Sequence, residues 1–334
     1  MLKRFIKFLR TTPHPERYHG DAMTAPFFEG WYYKVIDSTG KNRFAFIPGL
    51  FMGKTAEDSH AFIQVMDGST QRVEYHRYSI EDFSSAEDRF HLRIGKNTFS
   101  LDRIELNIQN GQQEVQGILK FDNPLGWPVR FTSPGVMGWY SWVPRMECYH
   151  GVLGFDHSIQ GSIQVDGKTL SFDGGRGYME KDWGKAFPQA WVWIQSNHFE
   201  QPRTCLTASV AIIPWLGGAF AGFTVGFWQD GFLHRFATFN NSQIQELVVD
   251  DHQVHWKMRN RTHQLVILAS QAEGGLLLAP TPQGMGRRIA ETLNAKIQVK
   301  LINNKSDLVE FNGQGQFAGL ETVGDLDKLI KMVR

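Results

Sequence analysis

Cysteine is nearly absent from this chain: Cys148 and Cys205 are its two thiols in 334 residues. A disulfide framework is thereby excluded as the source of stability, and the usage fits a reducing compartment, with one disulfide at most. An excess of charge is missing as well, since 35 Lys and Arg stand against 34 Asp and Glu for a formal net charge of +1. Proteins that bind nucleic acid neutralise phosphates with a basic surface, so this balance argues against nucleic acid as a partner. Signature motifs are scarce too, with no HExxH, CxxC or GxSxG. GLFMGKT (49–55) has three residues between its glycines where a phosphate loop needs four, and GQGQFAG (313–319) misses the dinucleotide fingerprint by one residue. His252 and His255 would point to opposite faces of a strand. Cys148 and His150 share a face, but the sequence names no distant partner for a metal, so both read as structural and no metal is expected.

Also missing is an unbroken membrane span. No charge occurs between Arg203 and Asp230, but Pro214, Gly217 and Gly218 interrupt that run where a helix would break and a turn would form. The segments 204–213 and 219–228 therefore read as a buried β-hairpin in a soluble protein. The N-terminus, MLKRFIKFLR, places Leu2, Phe5, Ile6 and Leu9 on one helical face and Lys3, Arg4, Lys7 and Arg10 on the other. Charge at every second or third position leaves no signal-peptide core. The expectation is a cytoplasmic protein, with peripheral membrane contact through residues 1–10.

Aromatic residues and glycine are abundant: 25 Phe, 10 Trp, 8 Tyr and 33 Gly. That mix suits twisted strands and tight turns. Apolar and polar residues alternate with a period of two along most of the chain, as in Val254, Trp256 and Met258 against His255, Lys257 and Arg259. Asn110-Gly111, Asp166-Gly167 and Asp230-Gly231 each sit between two such runs and predict hairpins. Helix is expected in the N-terminal turn and at 284–294, with less than a fifth of the chain helical. Many short strands with regular turns mean an all-β protein of barrels or sandwiches. Two barrels of about 150 residues account for the length.

Three stretches set aromatics beside ionisable groups in a way that a core does not require. They are FFEGWYYKV (27–35) with Glu29 and Trp31, GWYSWVPRMECYHGVLGFDHSIQG (138–161), and GGRGYMEKDWGKAFPQAWVWIQSNHF (174–199) with Glu180, Lys181, Asp182 and Trp183. In 191–199, strand parity puts Trp191, Trp193, Gln195, Asn197 and Phe199 on one face. A face of two indoles and two amides is a poor core and a good wall for a flat or polyunsaturated ligand.

These stretches, together with PHPERYHG (13–20), resemble the tocopherol cyclase family, most strongly over 139–199 and weakly after 230. The resemblance implies two lipocalin-like antiparallel β-barrel domains with few short helices, a fold shared with hydroxyneurosporene synthase. It departs from the family's central motif at Asp182, where the family has Asn. On this basis residues 1–12 are a basic amphipathic segment, 13–185 a first barrel and 186–334 a second. The activity implied is closure of a chromanol ring from a prenylated hydroquinone, with a hydrophobic prenylated aromatic or isoprenoid as the small-molecule partner.

The chemistry needs a proton delivered to an alkene, a tertiary cation survived briefly, and a phenol oxygen placed to trap it. No metal or redox cofactor is required. A carboxylic acid buried among aromatics can donate the proton, and aromatic faces stabilise the cation. Glu180 is the first candidate acid, in YMEKDWG between a glycine-rich turn and the Trp-rich strand, where a loop would deliver it to a barrel mouth, with Glu29 and Asp182 behind it. Trp31, Trp183, Trp191 and Trp193 are candidates for the aromatic surface, and Gln195 or Asn197 for holding the hydroquinone hydroxyl. The structural reading of Glu180 is an ion pair with a nearby Arg or Lys, such as Arg176. Two alternatives share the cavity: a non-catalytic carrier of an isoprenoid or quinone, and a carotenoid-type hydratase in which water traps the cation.

Overall fold

The structure, a computed structural model, describes residues 2–333. Chain contacts divide it into two compact units. One runs to Phe187 and takes in Leu276–Arg288; the other comprises Pro188–Gly275 and the chain from Ile289 onward. The sheet of the first unit runs in the order Arg72–Tyr78, His60–Asp67, Arg43–Met52, Phe27–Ile36, Gly175–Gly184, Cys148–Val165, Val115–Leu125, and then four shorter strands back to Phe83–Ser85. The sheet of the second unit is centred on Trp191–Ser196, which lies between Cys205–Trp215 and Val309–Val323. Each sheet is antiparallel and curls around its own apolar core. The fold is all-β and lipocalin-like. Trp31, Tyr33, Phe46, Ile63, Phe99 and Met179 stand for the first core; Val192, Ile194, Leu206, Trp256 and Leu320 stand for the second.

The expected hairpins form at the expected turns. Asp166 and Gly167 have φ of 48° and 81°, and Asp230 and Gly231 have 50° and 80°. This left-handed pair matches the twist of the strands it joins, and Asp and Gly tolerate it. The run without charge folds as the hairpin Cys205–Trp215 and Gly218–Gln229. No helix among the described residues is long and apolar enough to cross a membrane.

Two local readings change. Residues 284–294 are not helical; they open the strand Gly284–Asn303, in which Ile289, Glu291 and Leu293 are buried while Ala290 is exposed. Good helix formers such as Ala, Glu and Leu suggest a helix there, and pairing with Gly275–Thr281 overrides that weak preference. A helix does form at Leu326–Val333, where the Asp325 carboxylate accepts the Lys328 N–H and Leu329 enters the second core. The other change is at Asn197, which interrupts the strand: Phe199 lies with Val192 and Ile194 in the second core instead of beside Trp191 and Trp193.

The hairpin that returns to the first unit is held by Gln64. Its Nε2 donates to the Leu278 carbonyl at 2.9 Å, and its Oε1 accepts the Leu278 N–H at 2.8 Å.

Candidate active site

The three aromatic and ionisable blocks become neighbouring strands of the first sheet. Gly175–Gly184 pairs with Phe27–Ile36 on one side and with Cys148–Val165 on the other. Lys181 stands opposite Trp31 and Gly151, Trp183 opposite Glu29 and Tyr149, Glu180 opposite Tyr32 and Val152, and Asp182 opposite Gly30 and His150. Side chains alternate across a strand, so one short run, Tyr178–Trp183, supplies two different polar clusters on opposite faces.

On the face of the first core, Glu29, Lys181 and His19 form a buried network. Lys181 Nζ lies 2.5 Å from Glu29 Oε1 and donates to His19 Nδ1 at 2.7 Å, to the Pro15 carbonyl at 3.0 Å and to the Arg17 carbonyl. The Glu29 carboxylate also accepts the backbone N–H groups of His19 and Gly20. Burial alone would raise the Glu29 pKa, but the Lys181 ammonium and the His19 contact outweigh it and hold the group below its ordinary value. Burial pulls the Lys181 pKa down to about 8 against the attraction of Glu29. Glu29 is therefore an anchored anion.

The two indoles on this face are packed into the same clamp. Trp31 Nε1 donates to the Glu16 carbonyl, and its ring stacks on Phe90. Trp183 lies between His19 and Tyr149, with centroid distances of 4.5 and 5.3 Å, and both indoles face the Lys181 ammonium. A Cβ at Gly151 would come within 3.2 Å of Pro15 and 3.3 Å of the Trp183 ring, so the absent side chain makes room for the segment 13–20.

The opposite face carries Tyr178, Glu180 and Asp182. Tyr178 OH donates to Glu180 Oε2 at 2.6 Å. His150 reaches both carboxylates: Nδ1 lies 2.9 Å from Asp182 Oδ1 and Nε2 lies 3.8 Å from Glu180 Oε2. Burial would lower the His150 pKa, but Asp182 and then Glu180 reverse that and raise it to about 9. Tyr32, Lys34 and Phe28 lie on this face of the neighbouring strand and are buried. The Arg176 guanidinium is bidentate to Asp156 at 2.9 and 2.7 Å. Donor atoms of His150, Glu180 and Asp182 lie within 4.8 Å of one another, the spacing of a possible metal site. Nδ1 is hydrogen-bonded to Asp182 while Nε2 lies beyond hydrogen-bond distance of Glu180, and the two carboxylates hold the ring as an ion-paired imidazolium. His150 and Tyr178 were not singled out as site residues by sequence. The signal was the parity of 178, 180 and 182, with a histidine in the strand paired beside them.

In the second unit, Trp191 Nε1 donates to Glu321 Oε2 at 2.5 Å, and Trp193 lies over Gly319, whose Cβ would come within 2.5 Å of the ring. Gln195 is fully buried on the same face with neither amide atom hydrogen-bonded. Asn197 Oδ1 contacts His198 Nδ1 at 2.9 Å.

The His150 ion pair carries a pH prediction. A group with a folded pKa of about 9 and an ordinary value of 6.5 stabilises fully below pH 6.5 and loses that contribution as pH rises through 9. Lys181, shifted downward, acts in the opposite sense above its folded value of about 8. Melting curves of the parent and of Asp182→Asn, compared across this range, isolate the His150 part. The parent's advantage is expected to be largest near pH 6.5 and to shrink toward pH 9. An advantage independent of pH would show that the pair is not an ion pair.

A family model described as tocopherol cyclase-like matches residues 25–324. The chloroplastic tocopherol cyclase of Zea mays is 26% identical over 89% of this chain and 73% of its own length. The probable tocopherol cyclase of Oryza sativa subsp. japonica is 24% identical over 89% and 74%. Among solved structures, a putative AttH from Nitrosomonas europaea superposes with a TM-score of 0.52 at 14% identity, covering 88% of this chain and 92% of its own. CghA superposes with a TM-score of 0.58 at 12% identity, covering 91% and 90%. Likeness at such identities supports the fold alone.

Proposed function

The chain belongs to the tocopherol cyclase-like family, and from that premise we propose that it is an enzyme closing a chromanol ring on a prenylated hydroquinone, with Glu180 as the proton donor. The observation that carries this reading is the Tyr178–Glu180–His150–Asp182 cluster. A donor to an alkene must keep its proton in a water-poor site and leave an anion that is stabilised there. Glu180 is 6% exposed, which serves the first need. The Tyr178 hydroxyl and the His150 ring serve the second. Phe28, Tyr32 and Tyr178 on this face supply aromatic surface to a developing cation. Glu29, Trp31 and Trp183 belong in this reading to the clamp on segment 13–20 and not to the chemistry. Within the second unit, Gln195 is proposed to hold a ligand hydroxyl, with Trp191 and Trp193 as an apolar wall.

Incubation with a panel of prenylated hydroquinones, read by mass spectrometry, tests the reaction. A chromatographically new isomer of the substrate is the expected product. A product heavier by one water would mean hydratase chemistry, and unchanged ligand recovered in bound form would mean a carrier.

Membrane contact is proposed through the N-terminal helix, Leu2–Thr11. Phe8 and Thr11 are buried, while Leu2 and Phe5 are 72% and 54% exposed and Ile6 and Leu9 are exposed beside Lys3, Arg4 and Arg10. An apolar stripe flanked by cations suits an anionic lipid surface, where the prenylated substrate would partition. Flotation with vesicles containing anionic lipid is expected to carry the parent protein but not Phe5→Ser/Leu9→Ser. Equal flotation of the two would rule out this helix as the contact.

A further inference from the structure

We infer that the tip of the hairpin formed by Cys205–Trp215 and Gly218–Gln229 is a lipid-inserting element, with Leu216 at its apex entering the acyl region of a bilayer. The turn at this apex breaks two local rules at once. Three two-residue turns of the chain share one backbone: φ is 48° at Asp166, 50° at Asp230 and 46° at Leu216, followed by glycines at 81°, 80° and 83°. Aspartate fits the left-handed first position because its short polar side chain bonds locally, whereas leucine has no such compensation. Leu216 is also 93% exposed, the most exposed large apolar side chain among the described residues. In water, asparagine or aspartate would serve this turn better on both counts. A leucine here is explained by surroundings that take its side chain out of water.

The tip extends beyond its sheet. On one side the last strand pair is Trp191 with Ala211, after which the Ile212 N–H donates to the Ala190 carbonyl; on the other, pairing stops at Thr224 with Ala237. Residues 213–222 continue as a two-stranded ribbon in which Pro214, Leu216, Gly217, Gly218 and Ala219 are exposed. No charged residue occurs in this ribbon or anywhere from 204 to 229. Pairing across the ribbon meets backbone polar groups internally, and Pro214 has no N–H to leave bare on an edge, which suits a medium without water. Below the apex, the half-buried Trp215 and Phe220 rings meet edge to face at 6.1 Å, where amphipathic indoles favour the headgroup boundary. Gly222 makes room for them, since a Cβ would come within 2.8 Å of Ile213 and 3.1 Å of Phe220. Lipid is the occupant that shape and register favour. The tip is convex and uncharged, whereas a protein interface brings a polar rim. Cross-strand pairs put Trp215, Ile213 and Phe220 on the same sheet face as Trp191, Trp193 and Gln195. An apolar strip thus runs from the apex to the proposed ligand wall, the route for a prenyl chain dissolved in lipid; this choice of occupant rests on the reading of the ligand as a prenylated molecule.

One leucine and two half-buried rings give a weak, reversible contact, which a flotation gradient does not retain and an equilibrium titration does. The experiment therefore titrates the full chain with vesicles of brominated phosphatidylcholine and follows quenching of tryptophan emission. High salt removes the attraction of the basic N-terminal helix for lipid charge. The parent is expected to be partly quenched, and Trp215→Phe to lose most of that quenching. Leu216→Asn is expected to need about ten- to a hundredfold more lipid, the factor for leaving one leucine side chain in water. Asparagine suits the left-handed turn, so this variant is expected to melt at or above the parent's temperature, and its weaker binding is then not a loss of folding. Phe5→Ser/Leu9→Ser is expected to titrate as the parent does. An unquenched parent, or Leu216→Asn quenched at the parent's lipid concentration, would overturn the inference. So would quenching abolished by Phe5→Ser/Leu9→Ser, which would give the contact to the helix. Lipid-free dimerisation of the parent that Leu216→Asn abolishes would also overturn it and make the tip a contact between copies. None of these measurements reads turnover, so failure of the reaction proposed for Glu180 shows separately, in the hydroquinone assay.

Discussion

Glu180→Gln is expected to lower turnover by about 10²–10⁴-fold while ligand binding survives, the usual share of general acid catalysis. Glutamine keeps the shape of the side chain and still accepts from Tyr178 OH, but it cannot supply an acidic proton. A purely structural Glu180 would behave differently. Its removal would lower the melting temperature and leave the activity of each folded molecule nearly intact. Arg176 is committed to Asp156, so an ion pair with that residue does not explain Glu180. Titration calorimetry with a prenylated hydroquinone whose side-chain double bonds are saturated, which cannot be protonated or cyclised, alongside turnover assays, separates binding from chemistry. Undiminished turnover in well-folded Glu180→Gln would pass the role to Asp182, since Glu29 is held as an anion by Lys181.

Lys181→Met is the second large effect, and it falls on stability. The ammonium is fully buried, and removing it leaves the equally buried Glu29 carboxylate without its counter-charge. Breaking a buried pair from one side typically costs about 3–5 kcal/mol. Lys181 also binds the Pro15 and Arg17 carbonyls, so its loss should free the segment 13–20. The expected result is a lower unfolding midpoint for the first unit together with faster proteolysis near Arg17. Glu29→Gln/Lys181→Met, which removes both charges, should recover part of the loss, because the remaining groups no longer include an uncompensated ion. A single Lys181→Met variant as stable as the parent would show that the network contributes little.

Much of the fold was legible because it is local. Alternation with a period of two follows from side chains pointing to opposite faces of a strand, and Asp-Gly turns follow from left-handed backbone at φ near 50° and 80°. The charge-free run resolved into a hairpin for the same reason: Pro214, Gly217 and Gly218 act on their own neighbourhood. Where local preference and tertiary pairing disagreed, at 284–294, pairing prevailed, because helix propensity amounts to a few tenths of a kcal/mol per residue. The return of Leu276–Arg288 to the first unit left no trace in sequence. It depends on a bidentate contact with Gln64, more than 200 residues away.

The candidate site divides along the same line. Sequence alone determined that Glu29, Glu180 and Asp182 sit among aromatics; it suggests a loop at YMEKDWG, whereas Gly175–Gly184 is a strand, and the parity of that strand separates Glu180 and Asp182 from Lys181 and Trp183. Only the tertiary structure decided which groups those faces would meet. Antiparallel pairing set Trp183 beside Glu29 and Asp182 beside His150, and the segment 13–20 folded over one face and not the other. Glu29 and Glu180 are both buried carboxyls in aromatic surroundings, so residue type could not tell them apart. Their surroundings differ: Glu29 meets the Lys181 ammonium at 2.5 Å, and Glu180 accepts from the Tyr178 phenol beside the His150 imidazole, on a face that also carries Lys34. Strand periodicity encodes the direction of a side chain, while the identity of its neighbour depends on a register between segments far apart in the chain, and the charge state of a buried group is set by that neighbour.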